Sequence, residues 1–357
     1  MPLPLILGAA ALATAVYGTK KGYDGYQKHS EADEIVKNAS HAYDRKRAEF
    51  DEQEKETGHV LEVLGTKELE IGQSLNEFKT LADALLKKLN TGRNSLLEVN
   101  IPKHDLQRIE NYSYTAIGVL GTAAGAGLAG AAAGFAVYGG VMALGAASTG
   151  TAISALSGVA ATNATLAALG GGSLAAGGMG MAGGTAILGA TVAAPVIAIA
   201  GWAYNSHGEE ALRNAKKARN EVEASVAKMT RGIAVLENTE KYARRIKRAL
   251  NTLFGQFNQY FDSLKDINAF LEDIQGRNVD IDAELNKFGD EILMLIQNGY
   301  AIAALLVNII TTPIFKMKTE NGKTVLLEDA DGLQIVNAFE LQKAIDNSLK
   351  SAAEQTV

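Results

Sequence analysis

The groups most able to do chemistry in this chain are a glycine run, one serine in a glycine turn, five histidines and a cluster of carboxylates. Gly125-Ala126-Gly127-Leu128-Ala129-Gly130 has the spacing of a dinucleotide-binding turn, where glycines let the backbone approach a pyrophosphate. Such a site also needs an acidic residue about 20 positions on for the ribose, and no Asp or Glu occurs before Glu209. Gly322-Lys323-Thr324 has the ending of a phosphate loop, but Met317 stands where its first glycine belongs. Ser173 follows three glycines without the frame of a nucleophile elbow, and His207 is the nearest base candidate. His29, His41, His59, His104 and His207 are scattered, with no pair at helical ligand spacing and a carboxylate to match. Asp51, Glu52, Glu54 and Glu56 read as a solvated helix face. The expectation is a protein with no catalytic, cofactor or metal site and no small-molecule substrate.

Bulk properties narrow the class further. A net charge of -6 opposes a general nucleic-acid binder, which needs a basic surface to neutralise phosphates. The absence of cysteine excludes disulfides, Fe-S clusters and thiol catalysis.

Charge is strongly segregated along the chain. Asn111 to Gly208 is 98 consecutive residues without Asp, Glu, Lys or Arg, and it holds 22 Gly and 29 Ala. Small residues let helix backbones approach closely, and Gly121/Gly125, Gly130/Gly134 and Gly180/Gly184 each stand four apart, the spacing of tightly packed membrane helices. Breakers divide the region at Tyr114 to Ala147, Thr151 to Leu169, a turn at Gly170 to Gly184, and Thr185 to Tyr204. Tyr112 and Tyr114 at the entrance and Trp202 and Tyr204 at the exit suit an aromatic belt at headgroup level, with core packing as the other reading. Ala and Gly gain little from lipid at about 25 cal/mol per Å2 of buried apolar area. Insertion is therefore expected to be conditional, with a soluble form that stores the segment between protein helices.

The flanks must position that segment. Met1 to Thr19 is uncharged and followed by Lys20 and Lys21; as a helix it would span roughly 28 Å, enough for a bilayer core. A retained anchor, a cleaved signal and a buried helix all fit it, and the two lysines would leave the arms cytoplasmic. Leu61, Leu64, Ile71, Leu75, Phe78, Ala82, Leu85 and Leu89 alternate spacings of three and four, with Glu68 inside the seam and a stop at Asn90-Thr91-Gly92. Val222, Met229, Leu236, Ala243, Leu250, Phe257, Leu264 and Leu271 repeat every seven residues, with Ile246, Leu253, Tyr260, Ile267 and Ile274 as companions. Two seams of similar period predict helices that pack on each other, as a bundle or as an oligomeric coiled coil. Residues 292 to 315 carry no charge, but Gln297, Asn298 and Asn308 suit a buried helix better than a second anchor, and Pro313 must end it. Asn321-Gly322 between Ile314 to Thr319 and Lys323 to Leu327 predicts a hairpin, followed by a helix from Asn337 to Ser348.

The stretch Thr149 to Gly189, with the start PLILGAAA and Lys20-Lys21-Gly22, resembles a widespread family of bacterial glycine-zipper membrane-associated proteins of unassigned function. The resemblance covers most of the chain and implies bacterial origin and membrane association, without a reaction or site residues. In composition the chain is similar, more weakly, to small interferon-inducible membrane proteins of animals. Its layout is similar to the alpha-helical pore-forming toxins of the cytolysin A and haemolysin BL type, although its uncharged region is much longer than a hairpin head.

The sequence therefore predicts an all-α protein with a small C-terminal β-hairpin. Its parts are a hydrophobic helix (1-19), a first arm (20-110), the Gly/Ala segment (111-208), a coiled-coil arm (209-275) and a C-terminal helix, hairpin and helix (276-357). The expected function is insertion into a lipid bilayer with homo-oligomerisation that perturbs or permeabilises it, toxin-like or self-directed. The alternative is a membrane-anchored coiled-coil scaffold.

Overall fold

A computed structural model describes residues 21-90, 99-123, 132-137, 208-275, 281-320 and 323-355. Its described elements are helices α1 (Lys21–Asn90), α2 (Lys103–Ala123), α3 (Gly208–Gln275) and α4 (Ile281–Ile310), strands β1 (Met317–Glu320) and β2 (Lys323–Leu326), and helix α5 (Ala338–Gln355), with a further helical segment at 132-137. The all-α class is as the periodicities predict.

Helix boundaries follow local chemistry. α1 contains no proline and is described from Lys21 to Asn90; the stop expected at Asn90-Thr91-Gly92 extends outside the described residues. Pro102 opens α2, and its carbonyl accepts from the amides of Asp105 (2.9 Å) and Leu106 (3.3 Å). α2 then continues unbroken across residues 110 and 111, where the charge pattern changes. α4 ends at Ile310, two residues before Thr312-Pro313. The strands are shorter than the hairpin predicted from sequence, four residues each and antiparallel, with Glu320 opposite Lys323 across a two-residue connection. Backbone pairing continues beyond them from Lys316 N to Ile335 O at 2.8 Å and from Leu327 N to Lys316 O at 2.8 Å. Gly332 has a φ of 75°, a left-handed turn conformation that favours glycine. α5 runs to Gln355, seven residues past the predicted end at Ser348.

The described helices belong to two compact units. The first contains α1 up to Lys55, α3 up to Leu236, and residues Asp331–Leu333. Here Lys28 pairs with Glu209 at 2.6 Å, and Ala32 packs with Ala211 and Ala215 beside Ile35 and Val36. Arg231 holds Asp331 at 3.1 Å.

The second unit contains α1 from Glu56, α2, the 132-137 segment, α3 from Glu237, α4, the hairpin and α5. Its centre is Phe78 of α1, whose ring meets Phe257 (5.2 Å) and Phe261 (5.7 Å) of α3 and Tyr300 (5.1 Å) of α4, all edge to face. Glu56 pairs with Arg244 (3.7 Å), and the Lys67 ammonium lies 4.1 Å from the centre of the Phe254 ring. Within each unit the contacts advance in the same sense along α1 and α3, so their segments there pair parallel. α4 returns beside α3, with Phe270 against Phe288 at 5.7 Å. Arg108 of α2 donates to Thr311 (2.6 Å), and Asn308 of α4 faces Ser348 of α5 at 3.4 Å.

Lys287–Ile310 within α4 is the one described helical stretch long and apolar enough to cross a membrane by length and composition, with mean hydropathy 1.8. In this structure Ile292, Ile296, Ala303, Leu306 and Val307 are buried against protein, the arrangement the polar residues of this helix suit.

Candidate functional site

The site is the contact where the entrance to the uncharged segment meets α1. Gly65, Glu68 and Gly72 are spaced by three and four and so share one face of α1. A Cβ at Gly72 would lie 2.3 Å from the Ala116 Cβ of α2, and one at Gly65 would lie 1.8 Å from the backbone oxygen of Ala132. Only glycine allows helices this close at those two points, since real side chains do not overlap at such distances.

Tyr112 crosses between the glycines. It is fully buried, its hydroxyl donates to the Glu68 carbonyl at 2.5 Å, and its ring centre lies 6.0 Å from that of Phe135. That carbonyl belongs to the turns of α1, and a second donor adds to its helical bond. The buried hydroxyls of Ser113 and Thr115 donate back to the carbonyls of Ile109 and Asn111, both at 2.8 Å. α2 therefore enters a dry contact with these groups satisfied.

Glu68 departs from this pattern. Its side chain is 2% exposed, and its Oε2 has no hydrogen-bond partner. Burial pushes its carboxyl well above the usual value of 4.5, so it favours the neutral acid. Nearby polar groups on α1 are used elsewhere, with Lys67 bonded to Glu70 at 3.0 Å.

Of the residues singled out from the sequence, Tyr112 and Gly134 lie in this contact region as buried groups. Tyr112 takes the core role. Tyr114, two residues on, is 63% exposed. Gly121 is exposed, and a Cβ there would meet nothing within 4 Å. Gly125, Gly130, Gly180, Gly184, Trp202 and Tyr204 lie outside the described residues. Gly65 and Gly72, the glycines at these close contacts, sit in the charged arm and outside the uncharged segment. Their signal was a seven-residue spacing, shared with Gly58, beside the α1 seam. Glu68 was visible as the acidic member of that seam.

Among the described residues, no group of three or more His, Asp or Glu is placed to hold a metal ion. Compared with known proteins, the chain matches no family model, no curated protein and no solved structure.

Proposed function

We propose that this chain is a membrane-inserting helical protein whose paired arms carry the Gly/Ala segment to a lipid bilayer, where copies assemble and perturb or permeabilise it. The observation that carries the reading is the 98-residue interval without an ionisable Asp, Glu, Lys or Arg, set between two charged helices. Parallel helices cannot be joined by a short turn, so the chain between Asn90 and Gly208 must act as a crossover between them. A crossover exposed to water would be expected to carry charge. Lipid, or protein helices that hold the segment until release, explains the composition.

The test is a detergent-free preparation mixed with vesicles that contain a self-quenched dye. Flotation with the vesicles together with dye release, and a rise in cross-linked multimers on vesicle addition, is the expected result. The second reading, an anchored scaffold, is favoured by the buried seven-residue seam that runs from Val222 to Leu271. It predicts binding without dye release. Protein that neither floats nor releases dye under any condition overturns the membrane reading.

A further inference from the structure

We propose that Glu68 is a proton-controlled latch: as the neutral acid it holds α2 and the 132-137 segment against α1, and on ionisation it drives that contact open. Three observations converge on it. Glu68 stands on α1 between Gly65 and Gly72, where a Cβ would overlap Ala132 and Ala116. It is buried with one oxygen lacking a partner. Tyr112, which bonds its backbone carbonyl, stands at the start of the uncharged segment, and Ala132, which faces Gly65, lies within it.

Among the described residues, no cation pairs with the buried Glu68 Oε2. On α1 itself, Lys67 is directed to Glu70 and the Phe254 ring. α2 brings Tyr112, which donates to the Glu68 backbone and not to its carboxyl, and the 132-137 segment contains no titratable residue. On α3, the titratable groups nearest to Phe254, which Lys67 meets, are Arg248 and Tyr260; α2 also carries Arg108, whose guanidinium donates to Thr311, and Tyr300 of α4 meets α1 at Phe78. Burial is accordingly the cause that raises the Glu68 carboxyl. A carboxylate ionised in that position would be unpaired and desolvated, the costliest state for a buried acid.

The sign follows from proton binding. The closed contact holds the Glu68 proton more tightly than an opened one, in which the carboxyl titrates near its usual 4.5. Closure is therefore fully favoured below that value and weakens as pH rises above it, until the raised value is passed. Within this window the closed-to-open ratio falls by up to about tenfold per pH unit. Acid favours the closed latch, and rising pH favours its opening. The latch stands on the helix contact alone, independent of whether the released segment meets lipid.

Hydrogen-deuterium exchange on the full chain without detergent tests it, at pH 5 and pH 8 and after correction for the intrinsic pH dependence of exchange. Protection of residues 103-123, taken relative to α4 and α5, is expected to be lower at pH 8 than at pH 5, by up to about tenfold for each pH unit inside that window. Glu68→Gln keeps the shape and removes the titration, so its relative protection should not change with pH, while Glu70→Gln, at an exposed carboxylate two residues away, should retain the wild-type fall. An equal fall in Glu68→Gln, or no selective fall in the wild-type protein, overturns the latch. Should Glu68→Gln lose its helical circular dichroism, Glu68→Met carries the same expectation, and the wild-type ratio decides alone.

Discussion

At the residue scale, the same substitution should have opposite signs at two glycines seven apart in α1. Gly58 has open space where a Cβ would stand, so Gly58→Ala replaces a poor helix former at no steric cost and should stabilise by about 0.5-1 kcal/mol. Gly65→Ala would place its Cβ 1.8 Å from a backbone oxygen, which no rotamer change can relieve. Overpacking of that kind costs about 1-3 kcal/mol or more, as the helices must move apart. Urea denaturation midpoints of the two variants check the contrast, and similar shifts in the same direction would remove the close-contact account. Seven-residue glycine spacing was legible in the sequence. Which of the three glycines meets a neighbour was not, because that depends on where α2 and the 132-137 segment arrive.

At the element scale, α3 separates seam from flank. Every member of the series from Val222 to Leu271 is buried, whereas Tyr260 and Ile267 of the companion series are half-buried and Phe261 is buried in their place. Leu250→Ala should therefore cost about 2-5 kcal/mol and Ile267→Ala clearly less, read from thermal or urea unfolding. α4 makes a second discriminating pair. Met294 is 51% exposed and Leu306 is fully buried. Met294→Lys should change stability by less than about 0.5 kcal/mol, while Leu306→Lys buries an unpaired charge and should unfold the second unit. Circular dichroism melts separate the two, and a large loss in Met294→Lys would mean that this face is covered after all.

On the scale of the whole molecule, the organisation follows from how charge is distributed and how the long helices are paired. A charge placed inside the uncharged interval, as in Gly130→Glu or Gly184→Glu, should lower the fraction of protein recovered with vesicles by several-fold, since Asp, Lys or Arg costs about 2.5-3.5 kcal/mol at the centre of a membrane helix. Sedimentation or flotation of the purified variants provides the measurement. Unchanged recovery would assign the segment's composition to protein packing.

Sequence alone determined the helical class, the two long arms, their apolar seams and the helix stop before Pro313. These are short-range matters, in which a three-four spacing or a proline acts within a turn or two. Tertiary structure alone decided that α1 and α3 run parallel, that Tyr112 is interior, that Gly65 and Gly72 take the close contacts and that Glu68 is left without a partner for one oxygen. A heptad seam is satisfied equally by a parallel and an antiparallel neighbour, and a seam glutamate can face water or protein. The choice between those states belongs to residues far apart in the chain, and only their meeting in space expresses it.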